Sequence, residues 1–313
     1  MQKMKYFIIT VDTEGDDLWN WDEDQTITTN NAECLERFQN LCEQYNFPPV
    51  YLINYEMALS EILVQILNAH PKDKFEIGMH LHAWNSPPIY TLNKMYSGNP
   101  YITEYPVEVI REKHIQLRNL IEKRFHTSPI SYRAGRWATN NDLFSVISEL
   151  GFLVDCSVTP QLTHAHLPGS SVPGGCDYTK SPIKPYMITD TLMEVPMTTR
   201  HHKTIKGNSL KNRIRNTIKG RTLWMRPAVQ TYSEMVELAE RSEREGVDYI
   251  EFMIHSSELL AAGSPYCKTD TDVENFYKKI KQMFEWVKAN KYEGCTLAEY
   301  YKTHFGSLIS SGE

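Results

Sequence analysis

Short runs of branched and aromatic residues alternate along the chain with segments whose apolar positions recur every three or four residues. The runs at 6–11, 50–53, 75–79, 130–133, 152–155, 193–195 and 249–254 predict strands. The intervening segments 32–45, 56–68, 107–125, 140–150 and 233–245 predict amphipathic helices, with another at 272–289. In the first of these, Leu35, Phe38, Leu41, Cys42 and Tyr45 share one face. A strand–helix unit repeated about seven times predicts parallel βαβ units, and hence an α/β barrel or a doubly wound sheet. The stretch 160–190 carries Pro160, Pro168, Pro173, Gly174, Gly175, Pro182 and Pro185, which predicts a long loop over one face. With no internal repeat and no low-complexity linker, a single domain over 1–313 is the economical reading.

Composition narrows the function classes. A net charge of −6 on 313 residues excludes a molecule built as a whole to bind polyanions, nucleic acid included. No run approaches the roughly 18 apolar residues of a membrane span. The six cysteines lack CxxC or regular spacing, so reduced thiols in a cytoplasmic protein are expected. Lys3 and Lys5 ahead of the apolar 6–11 run imitate a secretory signal. Asp12, Glu14, Asp16 and Asp17 cut that run short, and a buried first strand is expected instead.

Candidate chemistry sits at the strand ends, where such folds collect their active sites. The first strand runs into Asp12-Thr13-Glu14, the third into His80-Leu81-His82 and the fourth into Arg133-Ala134-Gly135-Arg136-Trp137. The fifth ends at Asp155 and the last at His255. His-x-His on a strand places both rings on one face. Two carboxylates, paired histidines, an arginine and a distant histidine are the groups that metal-assisted hydrolysis requires.

These blocks resemble the polysaccharide deacetylases of the NodB-homology type, carbohydrate esterase family four. Thr10-Val11-Asp12-Thr13-Glu14 resembles the first family motif and Glu76-Ile77-Gly78-Met79-His80-Leu81-His82 the second. Arg133-Ala134-Gly135 resembles the Arg-x-Pro motif, and Phe252-Met253-Ile254-His255 the closing Leu-x-His. They follow family order from residue 6 to residue 255. Three departures stand out. The second acid is Glu14, two residues after Asp12; the family's second histidine position is occupied by Trp84, leaving His82 as substitute; and the arginine motif lacks its proline. The chain is most similar in this respect to a divergent, WalW-like branch.

The resemblance implies a distorted (β/α)7-type barrel and a hydrolase removing an N-acetyl group from a sugar of a surface-polysaccharide or lipid-linked glycan intermediate. It implies a divalent metal held by Glu14, His80 and His82. Zinc suits one carboxylate and two imidazoles, with nickel, cobalt and manganese as alternatives. Asp12 would be the general base, oriented by Arg133, and His255 the general acid. Trp84, Trp137 and Asp155 are expected at the substrate, and Trp19 and Trp21 near the motifs are further candidates for stacking on a sugar ring. Competing expectations are hydrolysis of another amide, as in a deformylase or cyclic amidase, and a silent glycan-binding barrel.

One segment adds a partner expectation. Between Glu194 and Glu234 there is no acidic residue, while basic residues crowd 200–226. Leu210, Ile214 and Ile218 would give a basic helix with a narrow apolar stripe. The competing expectations are a solvated helix over a barrel edge and a dock for a diphosphate-linked or membrane-borne substrate, peripheral to the inner membrane face.

Overall fold

The computed structural model describes residues 4–22, 24–202 and 221–309. Eleven strands are described: β1 (Tyr6–Thr13), β2 (Pro49–Ile53), β3 (Glu76–Leu81), β4 (Ser131–Ala134), β5 (Val154–Asp155), β6 (Tyr186–Met187), β7 (Met193–Glu194), β8 (Thr199–His202), β9 (Arg221–Trp224), β10 (Tyr249–His255) and β11 (Glu293–Gly294). The helices among the described residues are α1 (Leu35–Tyr45), α2 (Tyr55–Leu59), α3 (Glu61–Ala69), α4 (Val107–Phe125), α5 (Asn141–Glu149), α6 (Tyr232–Arg244), α7 (Asp270–Ala289) and α8 (Leu297–Ile309).

The main sheet runs β10-β1-β2-β3-β4-β5-β7-β6, parallel throughout except for the antiparallel edge strand β6. It curls into a half-barrel, the distorted barrel expected from the strand–helix alternation. Alternation along β1 explains both layers. Phe7, Ile9 and Val11 pack outward under the helices, while Ile8 joins a second apolar cluster with Val50, Leu52, Val154 and Tyr249. Leu297, Tyr300 and Tyr301 of α8 belong to that second cluster. β11 fills the N-terminal edge of β1 at Tyr6 and Phe7, because β2 pairs only from Ile9 onward.

The open side between β7 and β10 is bridged by single bonds. Met225 N–H donates to the Thr198 carbonyl at 3.0 Å, and Met253 N–H to the Met225 carbonyl at 3.0 Å. Met225 follows the antiparallel β8–β9 hairpin, which the sequence pattern did not predict. The expected 56–68 helix is two helices, because Ser60 adopts an extended conformation and caps α3 through Leu63 N–H. The long loop is present and tied down: Glu104 accepts from the backbone of Ser170 and Ser171, and Tyr101 donates to the Leu167 carbonyl at 2.6 Å. The six cysteines are free. No helix among the described residues is long and apolar enough to cross a membrane. Most of the basic segment, Lys203 to Lys219 with Leu210, Ile214 and Ile218, lies outside the described residues.

Candidate active site

Parallel register brings the motif residues to one level and one face. Asp12 pairs with His255 across β1–β10, and His80 with Arg133 across β3–β4. All four side chains point into the barrel, joined by Thr10 and Glu251 from the same faces of β1 and β10. Glu14 and His82 lie two residues beyond Asp12 and His80, at the strand ends. Both are buried.

Arg133 is fully buried and ties the interior together. Its two terminal nitrogens donate to Asp12 and to Glu251, with further bonds to the Thr10 hydroxyl at 3.0 Å and, through Nε, to the Cys156 carbonyl at 3.1 Å. Burial alone would raise the Asp12 carboxyl, but Arg133, with His80 and His255, outweighs it and holds Asp12 at about 2. Glu251 shares the same guanidinium, yet burial pushes it up to about 7.

Glu14, His80 and His82 offer ligand atoms all within 4.8 Å of one another, the one such group found among the described residues. His82 Nε2 is 3.2 Å and His80 Nε2 3.8 Å from Glu14 Oε2. His80 Nδ1–H donates to the Arg133 carbonyl at 3.0 Å, which leaves the Nε2 lone pair facing the carboxylates. Burial drives His80 down to about 3 and His82 to about 4, so both are neutral at neutral pH, as metal ligands must be. Burial also pushes Glu14 up to about 8. A buried carboxyl beside two neutral imidazoles fits a divalent cation, which would compensate the carboxylate charge.

Two departures from the family pattern meet at His82. Its ring stacks on Trp84, with centroids 4.4 Å apart and planes 17° from parallel. On Gly135 a Cβ would come within 2.7 Å of His82 Cδ2 and 2.6 Å of the Leu81 carbonyl oxygen. The imidazole therefore occupies the space that any side chain at 135 would need. A proline there is excluded on the same ground.

His255 stands opposite, with Nε2 3.8 Å from Asp12 Oδ2 and 3.9 Å from Glu14 Oε1. Glu258, buried one turn later, accepts from His255 N–H at 3.0 Å and lies 3.4 Å from Nδ1. Arg226 Nη2 reaches both Glu258 at 2.9 Å and His255 Nδ1 at 3.0 Å. Burial would lower His255, but Glu14 and Glu258 outweigh it and raise its pKa.

These groups form the floor of a cleft of about 750 Å³. Trp84 and Trp137 line it, as do Trp19, Trp21, His164 and His166. Asp155 is not brought there. Its register partners are Tyr132 and Glu194, on the outer face of the sheet, and it is fully buried with the Ser157 hydroxyl donating to it at 2.7 Å. Period-two alternation separates it from the inward-facing Arg133. Sequence reasoning missed Glu251, Glu258, Arg226 and Trp224. Glu251 was accessible, since it shares the β10 face with His255; Arg226 was one cation among many in a basic run.

No protein-family model matches the sequence, and no curated protein matches it. Solved structures do. A protein described as a polysaccharide deacetylase from Mycobacterium smegmatis aligns at 16% identity with a TM-score of 0.50, covering 95% of this chain and 95% of that one. PuuE allantoinase aligns at 10% identity and TM-score 0.52, covering 96% and 90%. A GH57 branching enzyme from the archaeon Thermococcus kodakaraensis aligns at 12% identity and TM-score 0.53, covering 95% of this chain and 71% of its own. At these identities the likeness is one of fold. The chain has the distorted barrel of the NodB-homology polysaccharide deacetylases.

Proposed function

We propose that the protein is a metal-dependent carbohydrate N-deacetylase of a divergent, WalW-like kind, acting on a surface-polysaccharide or lipid-linked glycan intermediate. The observation that carries this is the convergence of three potential ligands, a carboxylate paired to arginine and a carboxylate-supported histidine on the floor of one tryptophan-lined cleft. Glu14, His80 and His82 would hold the ion, zinc being the metal that best suits the donor set. When bound, such an ion supplies Lewis acidity toward the acyl oxygen and lowers the pKa of water.

The chain's own residues do the rest. Asp12 stays ionised at neutral pH and takes a proton from the attacking water, with Arg133 and, behind it, Glu251 fixing the carboxylate's direction. His255, its Nδ1 side held by Glu258 and Arg226, delivers a proton from Nε2 to the departing nitrogen. An amine leaves only once protonated, so this transfer is what an amide substrate demands. The products are acetate and an amino sugar. The tryptophans offer apolar faces for pyranose rings. The basic 200–226 segment, joined to the cleft through Trp224 and Arg226, supports peripheral contact with an anionic membrane that would present a lipid-linked substrate in the cytoplasm.

The test is acetate release from a panel of N-acetylated sugars, nucleotide sugars and lipid-linked sugars by the zinc-loaded protein. Release that disappears in Asp12→Asn supports the reading. No release from any member, with zinc bound stoichiometrically, would overturn it.

A further inference from the structure

Arg136 is a cleft residue that makes no direct ion pair among the described residues. Of the residues lining the cleft, only Asp12 and Glu14 are acidic, and both belong to the floor. The same lining carries Arg136, Arg226, His164 and His166. Arg226 is neutralised by buried Glu258. Arg136 is half-buried, and its guanidinium donates to two backbone carbonyls: Nη1 to Asn99 and Nη2 to Pro168 at 2.9 Å. Glu104, a carboxylate whose charge it feels, is turned instead toward the N–H groups of Tyr101, Ser170 and Ser171. The guanidinium lies over the Tyr101 ring, 4.1 Å from its centroid, which fixes its plane.

The backbone is bent to present it. Arg136 and Trp137 both adopt left-handed conformations, with φ of 55° and 60°, in the turn that follows β4. Two successive non-glycine residues in this region are strained, and such strain persists where surrounding contacts over-determine it. Here those contacts include the two carbonyls under Arg136 and the Tyr178 hydroxyl donating to the Trp137 carbonyl at 2.5 Å. The result is a fixed cation beside an aromatic wall, in a protein whose net charge is −6.

We propose that Arg136 recognises an oxyanion on the substrate, a phosphate or a carboxylate carried by the glycan, and so selects anionic over neutral saccharides. A planar guanidinium held by two carbonyls and an aromatic ring, with no carboxylate in direct contact among the described residues, is suited to bidentate binding of such a group. The proposal rests on the carbohydrate reading of the cleft, but its test does not need turnover.

Binding is read by tryptophan fluorescence, because five of the six tryptophans line the cleft. The zinc-loaded full chain is titrated with N-acetylglucosamine as the neutral probe. N-acetylglucosamine 1-phosphate and N-acetylmuramic acid are the phosphate and carboxylate probes, and separate those two sources. One or both anionic probes should bind at least about tenfold more tightly than the neutral one, by a margin that shrinks with added salt. In Arg136→Gln the anionic-to-neutral ratio should fall to about one, and Arg136→Lys should retain part of it. Equal affinities in the unmodified protein overturn the proposal, as does a preference that survives in Arg136→Gln. If the glutamine variant does not fold, a lysine variant with the full preference and its unchanged salt dependence also overturns it, since the bidentate fork would then be immaterial. Failure of acetate release across the substrate panel would strike the deacetylase reading and leave this ratio intact.

Discussion

His82 and Gly135 show how two odd residues in a sequence can be one arrangement in space. The imidazole stacks on Trp84 and its Cδ2 takes the space that a Cβ at 135 would need, so the histidine two residues after His80 has room only because position 135 has no side chain. Gly135→Ala should displace the ring and lower zinc affinity by about tenfold or more, measured by calorimetry on purified protein. His82→Ala should cost about as much as His80→Ala. The Gly135→Ala loss should also vanish in a His82→Ala background. Additive losses would mean that the glycine acts elsewhere. The sequence showed both residues as departures from a family pattern; it could not show that they touch, because contact between β3 and β4 depends on register and on the turn after each strand.

Among the elements, seven strands of the main sheet, β1 to β5, β7 and β10, were legible as apolar runs because both faces are buried, whereas the two-residue, partly exposed β6 and β11 were not. The β8–β9 hairpin was not, since Arg221–Trp224 lies within a basic run and shows no alternation. Asp155 marks the other limit: a strand-end position was readable, the face it points to was not. That face has a measurable consequence. Asp155 and Glu194 stand side by side on β5 and β7, fully buried, and burial together with Asp155 holds Glu194 well above the ordinary carboxylate range. The folded protein therefore keeps a proton that the unfolded chain has released. Stability should be greatest at the low-pH side of this window and fall as pH rises above about 4.5, by about 1.4 kcal/mol per pH unit for one proton until the raised value is passed. Glu194→Gln keeps a donor toward Asp155 without the titration. Denaturant melts from pH 5 to 8 should show a flatter profile for this variant than for the parent, and an identical slope would refute the assignment.

At the scale of the molecule, the barrel gathers residues from positions 12 to 258 onto one floor, and Trp224 and Arg226, at the C-terminal end of the basic segment, line the same cleft. If that segment meets an anionic membrane, each exposed Lys or Arg would contribute roughly 1 kcal/mol. Lys211, Arg213 and Arg215 replaced together by Gln should weaken sedimentation with anionic vesicles, and added salt should reproduce the effect in the parent protein. Unchanged sedimentation would leave the segment a solvated edge. The division of labour on the floor is the central claim: Glu14, His80 and His82 hold the ion, and Asp12 moves the proton. Asp12→Asn separates the two, so its metal content and its acetate release should be measured on the same preparation. The expected result is one equivalent of zinc with turnover abolished. Loss of the metal, or acetate released at the parent rate, would contradict the roles assigned here.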